Sequence, residues 1–411
     1  MQERSNFKKF LLLWAGEFVS SIGGGLTSFG LGVYVYKQTG SAACTSLVTL
    51  LAFLPMLVLS VPAGILADRY DRRNLMMLGD GLSAIGLVYI LIRMFMGGAT
   101  LVDICIGVTI SSVFSALLEP SYKATVTDML TKEEFSKANG LVSIAGSARY
   151  LLSPILAGFL LTVSDIKLLL IIDICTFFLT VTTTAVVKKG IESKKNNEDV
   201  SLKNGIKEGF AVIKARKGVM TLIIMTSVIT CFIGIMMTLS EPMVLSFKDE
   251  KTLGTLETIC ASGMLVTSVI LGVLGIKKHF VKLLSFSLAL SGIGMALFGL
   301  KEHVVFMTVT GFFFFAMLPI ANNSLDYLIR INIPEETQGR AWGIIGFISQ
   351  LGYVVAFAAS GVLADLTAKV LKISVGRCSG AVIMVAGILL TVVSLSLLFR
   401  KSIKALENAE K

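Results

Sequence analysis

Long apolar runs, interrupted at fairly regular intervals by charged or Gly/Asn-rich clusters, fill almost the whole chain. About 20 apolar residues suffice to carry a helix across a bilayer, and a helix satisfies its own backbone groups where no water can reach them. Read this way, the pattern predicts twelve spans, at 10–36, 42–67, 73–94, 101–122, 139–163, 166–187, 219–247, 252–276, 281–300, 303–329, 341–366 and 377–399. The expected fold class is an all-α polytopic membrane protein. The longest hydrophilic stretch, 188–218, separates six spans from six, giving an N-terminal bundle at 1–187, a linker at 188–218 and a C-terminal bundle at 219–411. The linker's second part sets Leu202, Ile206, Phe210 and Ile213 on one helical face with Lys203, Lys207 and Lys214 among the polar positions. This predicts an amphipathic helix lying along the inner leaflet.

The halves repeat each other. Leu82-Ser83-Ala84-Ile85-Gly86 recurs as Leu290-Ser291-Gly292-Ile293-Gly294, an offset of 208 that also carries Gly64 onto Gly272 and Arg69 onto Lys277. A second block, offset by 203, takes Glu133, Lys137, Ala138, Gly140 and Gly158 onto Glu336, Arg340, Ala341, Gly343 and Gly361. Both halves run the same way through the membrane, which makes them parallel repeats with a binding site expected where they meet.

Composition narrows the function. With 54% hydrophobic and 16% charged residues and a mean hydropathy of +0.81, the chain has too little polar surface for a soluble domain. Little length is left for a separate catalytic domain, so function must reside in the bundle. The net charge of +10 has no basic stripe on a soluble element to serve nucleic acid. It follows instead from loop placement: with the N-terminus in the cytoplasm, 27 Lys and Arg lie inside, 9 outside and Arg149 within a span. Both termini are then cytoplasmic. The six cysteines form no CxxC pair, and His279 and His303 stand near helix ends, so no disulfide framework, metal site or cofactor is expected. The first apolar run is too long for a cleavable leader and reads as a span. No G-x-x-x-x-G-K-[ST] loop is present, so ATP binding by that device is not expected.

Between the second and third spans lies Gly64-Ile65-Leu66-Ala67-Asp68-Arg69-Tyr70-Asp71-Arg72-Arg73. It resembles the signature loop of the major facilitator superfamily, G-x-L-A-D-[RK]-x-G-[RK]-[RK], with Asp71 in place of the usual glycine. Chemically, the Asp68 carboxylate suits the positive end of a neighbouring helix, and the arginines can bond carboxylates or carbonyls at the inner face. The resemblance implies a conformational latch made of Gly64, Asp68, Arg69, Arg72 and Arg73 with Asp128, the acidic residue after the fourth span. Topology anchoring by three arginines is the plainer alternative. The second half keeps Gly272, Gly275, Lys277 and Lys278 without the aspartate.

In the fifth span, Ser153-Pro154-Ile155-Leu156-Ala157-Gly158 is similar to the G-P-x-x-G-G core of the exporter motif of that superfamily, with Pro154 and Gly158 retained. The opening Leu13-Trp14-Ala15-Gly16-Glu17-Phe18-Val19-Ser20-Ser21-Ile22-Gly23, followed by Gly40-Ser41, is similar to bacterial exporters of the macrolide-efflux and enterobactin-exporter type. The resemblance therefore implies a twelve-helix transporter of two six-helix bundles.

A charge at the bilayer centre costs about 2.5 kcal/mol or more, so charges within spans persist when paired or useful. At about 1.5 Å per residue, Glu17, Arg149 and Asp173 lie deepest. Glu17 is read either as a proton carrier, because a buried carboxyl can take up and release a proton, or as half of a static ion pair. Arg149 is a counter-charge to Glu17 or to an anionic substrate group, and Asp173 a structural hydrogen-bonding residue. Glu119, Glu241, Glu257 and Asp326 fall nearer span ends and read as interfacial. Met236, Met237, Phe312, Asn322, Asn323 and Gln350 could line a broad cavity for amphipathic ligands, or simply pack helices.

The expected function is proton-coupled efflux of a small amphipathic compound by a secondary transporter in a bacterial-type inner membrane. Protons and membrane lipids are its other partners, and a monomer is the default state. Uptake by the same fold is the alternative; a lipid-modifying enzyme would need a clustered catalytic group, and a membrane sensor would bind without flux.

Overall fold

The computed structural model describes residues 6–189, 210–211, 213–214, 217–276, 278–333 and 335–407. Twelve of its helices are long and apolar enough to cross a membrane: Phe7–Thr39, Ala42–Arg69, Arg72–Phe95, Leu101–Met129, Lys137–Val163, Ile166–Lys188, Gly218–Leu245, Glu250–Leu274, Phe280–Phe298, Val304–Arg330, Ala341–Leu371 and Val375–Phe399. They are called spans one to twelve below. Each overlaps a predicted run, and no strand occurs among the described residues. Spans one, three, five, seven, eight, nine and twelve begin one to three residues before the predicted runs, and polar side chains cap several of the span starts. Asp71 caps span three by accepting from the Arg73 amide, and Thr100 with Asp103 forms a reciprocal capping box on span four. Of the linker positions, Leu202, Lys203, Ile206 and Lys207 lie outside the described residues, while Phe210, Ile213 and Lys214 are helical.

Two spans are broken. Span four stops at Ser115 and resumes at Leu118, and span five divides into Lys132–Leu151 and Ser153–Val163 around Leu152. Pro154 explains the second break: it has no amide to continue the first segment's ladder and sits in the first turn of the next, where none is needed.

The residues group into two compact units, one made of Met1–Thr39, Leu47–Glu198 and Glu250–Thr255, the other of Gly40–Ser46, Asp199–Asp249 and Leu256–Lys411. The first unit thus includes the opening turn of span eight, and the second the opening turn of span two. In the first, Lys37 Nζ pairs with Glu250 Oε2 at 2.7 Å. In the second, Asp365 accepts from Ser41 Oγ and from the amides of Ala42 and Ala43 at 3.0 and 3.1 Å, capping span two.

Close helix approaches obey the offsets read from the sequence. A Cβ on Gly86 would stand 2.2 Å from the Gly107 carbonyl oxygen; one on Gly294 would stand 3.1 Å from that of Thr310. The first residues of these pairs differ by 208 and the second by 203. Likewise a Cβ on Gly158 would meet the Glu250 carbonyl oxygen at 2.7 Å, and one on Gly361 that of Ala42 at 2.3 Å. Bare backbones are what let these helices touch, as lipid supplies no hydrophobic drive between them.

Candidate functional site

The loop between spans two and three is built around Arg72. Its guanidinium donates to Asp128 Oδ2 at 2.5 Å, to the Ala67 carbonyl at 3.1 Å and to the Ala124 carbonyl at 3.2 Å, tying the ends of spans two and four to the start of span three. Asp68 lies 3.8 Å from Arg72 and keeps 70% of its side chain exposed. It occupies the last turn of span two, four residues before Arg72 opens span three. Asp71, the departure from the motif, has a plain role. Its backbone is extended at φ −62°, so the turn needs no glycine, and its carboxylate accepts from the Arg73 amide at 3.0 Å and from Arg73 Nε at 3.1 Å. Arg73 is buried by this pairing, Arg69 is exposed, and open space surrounds Gly64. An apolar cluster of Phe10, Leu13, Met76, Tyr122, Val126 and Met129 supports the loop from within the first unit.

Span one is fastened to span five by Trp14 Nε1 donating to the Leu141 carbonyl at 2.7 Å, Ser21 Oγ to that of Ala145 at 3.0 Å, and Ser153 Oγ to that of Ile22 at 3.0 Å. Ser153, which replaces a motif glycine, thus gains a hydrogen bond from its side chain, and Gly25 supplies the room: a Cβ there would overlap Ser153 Oγ at 2.2 Å. Gly158 and the Pro154 carbonyl lie against the opening turn of span eight, where a Cβ on Gly254 would meet Pro154 O at 2.1 Å.

Glu17 and Arg149 are not brought together. Arg149 Nη2 lies 3.4 Å from Ser28 Oγ, eleven residues beyond Glu17 on span one and so about 16 Å along its axis. Arg149 lies instead within electrostatic reach of Asp173, and Glu17 within reach of Glu119. Among the described residues no Lys, Arg or His lies within ion-pair distance of Glu17. Asp173 is 1% exposed and lies beside Thr176 Oγ1 at 3.4 Å. A further carboxyl inside the bundle is Asp80, which is 2% exposed and in the field of both Glu17 and Asp173. The signal was present: Asp80 stands eight residues inside span three, a depth comparable to that of Glu17 in span one, but lay in the shadow of the arginine-rich motif just before it.

In the second unit, the expectation that Glu241 and Glu257 are interfacial meets a different geometry. Glu241 Oε1 is shut away from solvent with no hydrogen-bond partner among the described residues, and Glu257 is close enough for the two charges to interact. Asp326 is exposed. Of the cavity candidates, Met236 is buried, whereas Met237, Asn322, Asn323 and Gln350 are exposed and Phe312 is half-buried. Asn323 Nδ2 donates to the Pro319 carbonyl of its own helix at 3.0 Å. Met236 therefore packs helices and does not line an open surface.

Twelve spans, repeated close contacts in two units, and carboxyls held inside the bundle define a polytopic membrane transporter. The model of the Major Facilitator Superfamily matches residues 13–357, and the chain belongs to that family. It is a multi-pass membrane transporter and not an enzyme. It is 26% identical over 381 residues to macrolide efflux protein A of Streptococcus pyogenes, covering 89% of this chain and 92% of that protein. To multidrug efflux pump Tap of Mycolicibacterium fortuitum it is 22% identical, covering 86% and 89%. A crystal structure of the nucleoside transporter NupG shares the fold, with a TM-score of 0.76 at 14% identity over 95% of this chain and 99% of that one.

Proposed function

We propose that this transporter exports a small amphipathic compound of the macrolide or siderophore type from a bacterial-type cell, driven by protons entering in exchange. The observation that carries export is the likeness to macrolide efflux protein A along nearly the full length of both chains. The kinship with a multidrug efflux pump and the Pro154–Gly158 segment of span five favour the same direction. Protons are the coupling ion because the bundle holds carboxyls without basic partners. One proton moving down a 100 mV potential supplies about 2.3 kcal/mol, enough to bias two conformations whose carboxyl affinities differ. Glu17 is the carrier in this reading, and Arg72 with Asp128 forms the inner-face latch. The excess of Lys and Arg in alternate loops supports a topology with both termini in the cytoplasm.

Proteoliposomes loaded with a macrolide and given an imposed pH gradient test the proposal. Wild-type protein should move the macrolide against its gradient while protons pass the other way. Glu17→Gln should abolish gradient-driven movement and keep macrolide exchange at zero gradient. Full driven transport by the neutral variant would remove Glu17 from the role, and movement in the same direction as the protons would favour uptake.

A further inference from the structure

Span six carries a line of polar side chains on one buried face. Asp173, Thr176, Thr180 and Thr183 follow each other at three- and four-residue steps, all 9% exposed or less. They cover about 15 Å of helix length. Span one lies against this face with glycines: a Cβ on Gly23 would meet Asp173 Oδ1 at 2.8 Å and Thr176 Oγ1 at 2.5 Å, and one on Gly16 would meet Thr183 Oγ1 at 2.5 Å. The upper end of the line is therefore level with Gly23 and the lower end with Gly16, next to Glu17. Span three adds Asp80 beside Thr180. The threonines donate to their own helix, Thr176 to the Asp173 carbonyl at 2.7 Å, Thr180 to that of Phe177 at 2.8 Å and Thr183 to that of Thr180 at 3.0 Å, and Thr176 Oγ1 also lies 3.4 Å from Asp173 Oδ1.

Helix packing explains hydroxyls bonded to their own backbone. It does not explain two carboxyls removed from water with no basic group in ion-pair contact, since intramembrane charges are costly unless paired or used. Nor does it explain the orphaned oxygens. Asp80 Oδ2 and the Thr184 and Tyr122 hydroxyls are buried without a hydrogen-bond partner among the described residues. The charged and titratable groups facing the line are Glu17 from span one, Asp80 from span three, Glu119 and Tyr122 from span four and Arg149 from span five.

We propose that Asp173 and Asp80, bridged by the hydroxyls of Thr176 and Thr180, form a proton relay inside the N-terminal bundle that delivers protons to Glu17. Asp173 stands seven residues from Ile166, the end of span six placed outside by the charge bias, so the line runs inward from the outer side. A proton arriving at Asp173 neutralises that carboxylate. It passes along the hydroxyl oxygens to Asp80 Oδ2, leaving Asp173 ionised again, and then to Glu17, whose later deprotonation toward the cytoplasm completes the transfer. The relay rests on the proposed proton coupling, but the carboxyls can be observed without any transported compound.

Infrared difference spectra of the protein in liposomes, taken between acidic and alkaline buffer in H2O and D2O, report the carbonyl stretch of protonated carboxyls. Wild type should show a titrating carboxyl band that shifts in D2O. Asp80→Asn and Asp173→Asn should each lose part of it, and Glu17→Gln should lose a different part. Thr180→Val, which keeps every carboxyl, should retain the bands but slow gradient-driven proton entry measured with a trapped pH dye. Replacing choline chloride by sodium chloride at fixed pH should change nothing. Unaltered spectra in both Asn variants, wild-type proton entry in Thr180→Val, or loss of the band on adding sodium would each overturn the relay, the last by marking a sodium site. Intact bands and proton entry with no driven macrolide movement would instead sink the export reading and leave the relay standing.

Discussion

Asp71 shows how one residue can leave a motif and keep its geometry. The glycine of the family pattern suggests a turn that needs conformational freedom, yet the extended φ at Asp71 is open to any residue, and its carboxylate serves as a helix cap. Asp71→Ala should therefore lower stability by at least about 1 kcal/mol, the usual worth of an N-cap, seen as a lower midpoint of thermal unfolding in detergent. Arg72 and Asp128 make the stronger contact, about 1.5–3 kcal/mol for a hydrogen bond between charged groups. A double-mutant cycle with Arg72→Gln and Asp128→Asn should show coupling of that size, and purely additive single effects would reduce the pair to topology anchoring. Arg72 was legible in the sequence because the motif names its type, and Asp128 because the resemblance calls for an acidic residue after the fourth span. Asp80 was equally visible as a carboxylate inside an apolar run, yet only its burial beside Thr180 separates it from a residue that snorkels to an interface.

At the scale of the helix, the twelve spans followed from run length because a bilayer leaves the backbone no other way to be satisfied. Breaks and contacts were harder to read. Pro154 lies in the first turn after the interruption of span five, and Pro120 in the first turn after the Ser115–Leu118 break of span four, so each break sits just before a residue with no amide to continue the ladder. Glycines carry opposite meanings that no pattern distinguishes: a Cβ on Gly86 runs into the Gly107 carbonyl, and one on Gly81 in the same span meets nothing within 4 Å. Gly86→Ala should destabilise by about 1–3 kcal/mol through overpacking. Gly81→Ala should be neutral or stabilising by up to about 1 kcal/mol through helix propensity. Paired thermal melts of the two variants check both, and equal effects would show that spans three and four are not in contact there.

For the whole molecule, the excess of Lys and Arg in alternate loops fixes an expected orientation. Cysteine-reactive probes applied to sealed cells should label a cysteine placed at Gly98 and spare one placed at Lys189 until the membrane is opened; the reverse pattern would invert the topology and with it the direction of the relay. The internal repeat was also legible, since the offsets of 208 and 203 read from residue types reappear in the backbone contacts of Gly86, Gly158, Gly294 and Gly361. The sequence by itself determined the number of spans, the repeat and the signature loop, because each is carried by residue types along the chain and needs no knowledge of which helix faces touch. Only the tertiary structure decided that Glu17 and Arg149 lie apart, that Asp80 joins Asp173 along span six, and that Glu241 is shut away from water beside Glu257. Those facts depend on how helices rotate about their axes and which faces they turn to each other, and residues far apart in the chain settle that together.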